Sequence, residues 1–116
     1  MAGTKVYLAI PYSFNPDTAY RIANIVAANL MQQGYIVFSP ISHSHPVAEY
    51  LPTKLKTDSD WWMTQDLPFV EWADEIRVVS IGSFGSELIA ESKGVCMEIA
   101  HAKLHNKKII FHEHDD

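Results

Sequence analysis

The sequence predicts an α/β domain, a parallel sheet of about four strands with helices on both faces. Three observations predict it. Short apolar runs alternate with longer stretches of helical periodicity. The order is strand then helix, repeated, and it closes on a strand. Pro, Gly, Asp and Ser punctuate the boundaries between the runs.

Residues 5–10, KVYLAI, are a short apolar run stopped by Pro11 and read as a buried strand. A helix follows in SFNPDTAYRIANIVAANLMQQG, with Asn15 as N-cap, Pro16 at the first helical position and Asp17 in the first turn. Ala19, Ala23, Val26 and Leu30 mark its apolar face, and Gly34 is a natural stop. Residues 35–38, YIVF, give a second strand. Residues 39–57 read as a polar, proline-bearing loop, long enough to be either functional or mobile. Thr57 or Asp58 then starts a helix through SDWWMTQDLPFVEWAD, with a bend expected at Pro68. Residues 75–80, EIRVVS, are the third strand, and residues 81–91 a Gly/Ser loop. Ser92 caps a helix that runs to about His105. Residues 108–111, KIIF, are the fourth strand, and the charged HEHDD that follows reads as a mobile tail.

Right-handed crossovers convert this order into a flavodoxin-like, three-layer α/β/α arrangement with strand order 2-1-3-4. Ligands of such sheets bind beyond the carboxyl ends of the strands, at the switch point between strands 1 and 3. Three segments converge there. The loop after strand 1 carries Pro11 and Ser13, the segment after strand 2 carries His43 and His45, and the start of the last helix carries Ser92 and Gly94.

The chain has 116 residues, which suits a single domain over 1–116, and its 47% apolar content supplies a core without disulfides or a structural metal. The formal charge of −5 weighs against a nucleic-acid polymer as partner, while leaving small nucleotides open. The single cysteine, Cys96, allows no internal disulfide and fits a reducing, cytoplasmic setting. No stretch has the length of a signal peptide's apolar run or a membrane span.

Glu98 stands out in ESKGVCMEIAHA, because neither three nor four residues away is there a Lys or Arg to pair with. It is either a rim carboxylate or a group held in the cleft. Ser92-Lys93-Gly94-Val95 is either an ordinary Ser cap or an anion site at the positive end of the helix dipole. Glu98 lies roughly 9 Å farther along the axis, about the span from a nucleotide's phosphate to its anomeric carbon. Burial raises a carboxyl pKa and a helix N-terminus lowers it, so the two effects oppose each other at Glu98. Asp66 is a solvated helix residue or a second cleft carboxylate, and Asp74 reads better as a turn residue entering strand 3. His43 and His45 share a face if extended, but no further ligand stands at metal spacing nearby. They therefore read as ligand contacts or plain loop, and no metal is expected. Trp61, Trp62 and Trp72 read as core or lid residues.

Together these residues resemble the nucleoside 2-deoxyribosyltransferase superfamily, with the nearer motif match to its 2′-deoxynucleoside 5′-phosphate N-hydrolase branch. VYLAIPYS resembles the family's first strand, whose active-site Tyr falls on Tyr7. DLPFVEWAD resembles the stretch whose catalytic Asp falls on Asp66. SKGVCMEIAHA resembles the helix start whose nucleophilic Glu falls on Glu98 and whose phosphate-holding Ser falls on Ser92. With SPISHSHP included, the pattern looks most like a small bacterial and phage group of no assigned activity. The resemblance implies cleavage of an N-glycosidic bond by Glu98, with Asp66 assisting the leaving base and Tyr7 orienting the carboxylate, and no cofactor. It also implies a nucleotide or nucleoside substrate and a homodimer. The chain departs from the family at Ile10-Pro11, where a small residue usually lets substrate approach, and is short after strand 4. A nucleotide-binding module without turnover is the alternative, and a flavin binder is a weaker one that rests on fold alone.

Overall fold

The computed structural model describes residues 2–82 and 87–115. Strands β1 (Lys5–Ala9), β2 (Ile36–Phe38), β3 (Glu75–Ile81) and β4 (Lys108–His114) form one sheet, all parallel, in the order β2-β1-β3-β4. That is the expected 2-1-3-4 topology. Six helices accompany it among the described residues: α1 (Pro16–Gln32), α2 (Pro40–Ala48), α3 (Thr53–Lys56), α4 (Ser59–Trp72), α5 (Glu87–Glu91) and α6 (Lys93–Leu104). None of them is long and apolar enough to cross a membrane.

Strand parity decides what faces what. Successive side chains of β1 point to opposite faces, and both faces are covered, so the strand reads as an unbroken apolar run. Val6, Leu8 and Ile10 pack with Ile22, Ala23, Val26 and Leu30 of α1. Tyr7 and Ala9 pack on the other side with Val70 of α4 and Val95 and Ala102 of α6. Tyr7 is thereby committed to the layer that carries Asp66 and Glu98.

The helix starts follow their capping chemistry. Thr18 N–H donates to the Asn15 side chain, Trp61 N–H to Asp58 and Val95 N–H to Ser92. At the other end of the sheet, Lys5 N–H donates to the Asp74 carboxylate at 2.9 Å and Asp74 N–H to the Lys5 carbonyl at 2.8 Å. Asp74 is thus a fastener for the starts of β1 and β3, far from the carboxyl ends of the strands.

Two stretches differ from expectation. Residues 39–57 are not one loop, because α2 and α3 occupy most of them. Ser39 is extended and Pro40 stands at the first helical position, where its fixed φ favours a helix. Only Pro40 of α2 is buried, so there is no apolar stripe to announce the helix. HEHDD is not simply a tail either: His112, Glu113 and His114 pair with Val79, Ser80 and Ile81, because β3 runs on to Ile81 and offers its backbone groups. Of the expected 81–91 loop, Ile81 belongs to β3 and Glu87–Glu91 are helical, while residues 83–86 lie outside the described residues.

Gly34 closes α1 with φ +98°, and its N–H donates to the Met31 carbonyl. An L side chain is strained in that conformation. Gly34→Ala should lower the unfolding free energy by about 1–2 kcal/mol and Gly34→Asn by less, read as the midpoint shift in urea denaturation at unchanged slope.

Candidate active site

A cleft of about 810 Å³ opens beyond the carboxyl end of β1. That volume lies within the range of small-molecule sites. Its walls come from the three predicted segments and from α4: Pro11 and Ser13 after β1, His45 on α2, Asp66 on α4, and Ser92, Gly94 and Glu98 at the start of α6. His43 is the exception. It lies outside that wall, and its ring packs against Phe38. Because α2 is a helix, residues two apart point about 200° apart, and His43 and His45 diverge.

Glu98 is 5% exposed and Asp66 8% exposed. Tyr7, wholly buried behind the wall, donates its hydroxyl hydrogen bond to Glu98 Oε2. That bond fixes one carboxylate oxygen and leaves the other to the cleft. No hydrogen bond within the described residues engages Asp66, whose carboxyl also looks into the cleft.

Burial raises the Glu98 pKa to about 8, against the lowering effect of the Tyr7 hydrogen bond and with the help of repulsion from Asp66. Burial likewise raises Asp66 to about 6. Tyr7 is pushed well above its ordinary value by burial, then by the charges of Glu98 and Asp66, so it remains a protonated donor. The two carboxyls act as a coupled pair that holds about one proton near neutrality.

At the mouth of α6, Ser92 Oγ accepts from Val95 N–H at 3.2 Å. The Lys93 and Gly94 amides belong to the first helical turn and have no intrahelical acceptor. A Cβ at Gly94 would meet only Met63 Cε, at 3.7 Å. The glycine is therefore not demanded by packing, and its effect is to keep the helix mouth open. Two cations, Lys56 and Lys93, stand on the same wall, and Lys93 pairs with Asp60 at 3.2 Å.

Sequence reasoning missed Lys56 and Tyr12. Tyr12 lines the cleft and its hydroxyl lies 2.6 Å from His45 Nδ1. His45 Nε2 lies 3.4 Å from Asp17, and its ring stacks on Tyr20 with centroids 4.4 Å apart. Tyr12 was legible as the one aromatic in the switch-point PYS, whereas Lys56 depends on where α3 lies. Trp62 also lines the cleft, held by an indole hydrogen bond to the Lys56 carbonyl.

The raised carboxyl pKa values have a stability consequence. A folded state that holds its protons more tightly than the unfolded chain gains from them at low pH. For Glu98 that gain is full below the ordinary carboxyl pKa of about 4.3 and is lost as pH rises to about 8. The melting temperature should therefore fall by at least about 5 °C between pH 5 and pH 8. Glu98→Gln should flatten that slope in differential scanning calorimetry, and an unchanged slope would contradict the burial account.

The structure is similar to two solved proteins. One is described as the 2-deoxyribosyltransferase of the psychrotolerant bacterium Bacillus psychrosaccharolyticus, with a TM-score of 0.67 and 21% identity, over 95% of this chain and 72% of that one. The other is described as a 2-desoxiribosyltransferase from Leishmania mexicana, with a TM-score of 0.64 and 15% identity, over 95% of this chain and 64% of that one. The chain thus spans less than two thirds of the second relative's length, and at these identities the likeness is one of fold. No curated protein matches the sequence. A family model described as a domain of unknown function, DUF1937, matches residues 4–114, from the first strand to the last. The chain is therefore a member of the DUF1937 family, and its fold is that of the 2-deoxyribosyltransferases.

Proposed function

We propose that the protein cleaves the N-glycosidic bond of a nucleoside 5′-monophosphate or related nucleotide, with a deoxyribonucleotide the first candidate. The observation that carries this reading is the buried Glu98, one oxygen held by Tyr7, on a cleft wall whose other end is the Ser92 helix mouth. Lys56 and Lys93 on that wall add to the case for a phosphate in a chain of net charge −5. The resemblance of Ser92 to the phosphate-holding Ser of the N-hydrolases points the same way.

In this reading the free oxygen of Glu98 attacks C1′ as the bond from C1′ to the base nitrogen breaks. Asp66 delivers its proton to that nitrogen, and a glycosyl ester forms on Glu98. Asp66, now ionised, takes a proton from water as the water attacks C1′, and Glu98 is released with the sugar phosphate. A second base in place of water completes a transfer instead of a hydrolysis. The sequence is the double displacement of retaining glycosidases, through an oxocarbenium-like transition state. Tyr7 is the positioning residue that presents Glu98, and no cofactor is required. In the resemblance the active form is a homodimer.

The second reading is a module that binds a nucleotide derivative without turnover. It is favoured by the buried Pro11 in the lining of the same cleft and by a Glu98 that is mostly protonated at neutral pH. It predicts ligand-induced thermal stabilisation with no product.

A panel of deoxynucleotides, ribonucleotides and nucleosides, followed by chromatography for free base, separates the two readings. Base release from a 5′-monophosphate, reduced by roughly a thousandfold or more in Glu98→Ala, is the expected outcome. Stabilisation without release would favour the binding module.

The pH profile gives a second check. Reaction needs Glu98 ionised and Asp66 protonated, which is one form of the singly protonated pair. That pair is populated between about 6 and about 8, so kcat/KM should be bell-shaped with its maximum near 7. Asp66→Asn should abolish the alkaline limb and leave one rise set by Glu98, above the acid limb of the unsubstituted protein and below about 8 because the repulsion from Asp66 is gone.

A further inference from the structure

A second constellation of donors lies outside the cleft, on the surface seam between α4 and α6. His101 and His105 stand four apart in AHAKLH, on one face of α6, and Glu71 projects from α4 beside them. One donor atom from each of the three lies within 4.8 Å of the others. Glu71 Oε2 lies 2.8 Å from His101 Nε2 and 3.8 Å from His105 Nε2. The two rings are close, with centroids 4.5 Å apart.

We propose that Glu71, His101 and His105 form a site for a zinc-class divalent cation that clasps α4 to α6.

The geometry is near that of a coordination shell. Zinc takes imidazole nitrogens and carboxylate oxygens at about 2.0–2.2 Å, so tetrahedral donors lie about 3.3 Å from each other. Glu71 Oε2 needs to move away from His101 by about half an ångström and toward His105 by the same amount, and the two imidazole nitrogens, which lie within 4.8 Å of each other, need to turn to the same spacing. The ion pair alone does not hold His105, since 3.8 Å is beyond hydrogen-bond range and its exposed ring meets solvent instead. A cation between the three atoms satisfies both imidazoles and the carboxylate at once. Two His at i and i+4 with one carboxylate is a zinc donor set, and with three protein ligands the fourth position falls to water. Glu71 and His105 are exposed, so water and metal have access. Lys107 does not compete for the carboxylate, as its Nζ donates to the Glu71 backbone carbonyl at 2.7 Å.

The placement gives the clasp a role. Glu71 follows Asp66 by five residues on α4, and His101 follows Glu98 by three on α6. A cation here therefore ties together the two helices that carry the buried carboxyls, from about one turn farther along each axis. It takes no part in the chemistry of the cleft, and the site stands whether or not the cleft turns over a nucleotide.

Zinc chloride titrated into the full chain by calorimetry tests the site, with cobalt as the spectroscopic substitute. The expected result is one ion per chain and a rise in melting temperature of about 5 °C at saturating zinc. A tetrahedral-type visible band should appear with cobalt. His101→Ala, His105→Ala and Glu71→Gln should each weaken binding by about tenfold or more. The double variant His112→Ala/His114→Ala, on β4, should bind as wild type. His105 is exposed, so its variant keeps the fold, and circular dichroism verifies that. Absence of binding, or equal binding by the His105→Ala chain, would overturn the proposal, as would loss of binding only in the β4 variant.

Discussion

The hydrogen bond from Tyr7 to Glu98 ties the centre of the sheet to the helix layer, and much of the site depends on it. A carboxyl on an apolar helix face between Val95 and Ala102 is costly unless a donor meets it. That donor comes from a wholly buried strand. It can arrive only if β1 presents its odd-numbered side chains to α6, because a slip of one residue would turn Tyr7 toward α1. The register Tyr7↔Ile76 and the Lys5–Asp74 fastening at the strand starts hold that parity. Among the described residues no fully buried side-chain nitrogen or oxygen lacks a partner, and the Asp66 carboxyl keeps its contact with the cleft.

What could be read from the sequence follows from how local each signal is. β1 announces itself as an apolar run and β3 as a short run rich in Val and Ile, and α1 and α6 by caps that act within four residues. The strand order then follows from crossover handedness together with helices on both faces of the sheet. Ser92 was legible as a helix cap, while Glu98 and Asp66 could each be read as cleft carboxylates or as solvated helix residues, and the packing of α4 and α6 is what buries them. α2 was not legible, since it has no buried stripe and owes its start to Ser39-Pro40. The end of β4 was not legible either, because a polar His112-Glu113-His114 becomes strand only by pairing with β3. The divergence of His43 from His45 is a direct result of the first miss. The convergence of Glu71 with His101 and His105 needs two helices packed together, and no spacing within the chain reports that.

The opposition noted between burial and the helix dipole at Glu98 resolves through distance. The positive end of a helix acts within its first turn, and Glu98 lies in the second, six residues past the Ser92 cap. Burial outweighs the lowering effect of the Tyr7 hydrogen bond there, and the pKa rises to about 8. The same separation leaves the dipole free to act at the mouth, where Ser92, Lys93 and Gly94 are. One helix thus offers an anion-favouring end and a proton-retaining interior.

That division couples the two ends of the cleft once a phosphorylated ligand is considered. A dianion at the helix mouth, roughly 9 Å from Glu98, adds negative potential at both carboxyls. Each then releases its last proton less readily than in the free protein. The pair already holds a proton near neutrality because both carboxyls are buried, with repulsion from Asp66 adding at Glu98, and the ligand's phosphate reinforces that. That proton rests mainly on Glu98 in the free protein, so in the proposed reaction it passes to Asp66 before Asp66 delivers it to the departing base. A nucleoside that lacks the phosphate forfeits both its anchor and the potential that keeps the acid charged with its proton. Discrimination for the phosphate then enters through the chemical step as well as through binding.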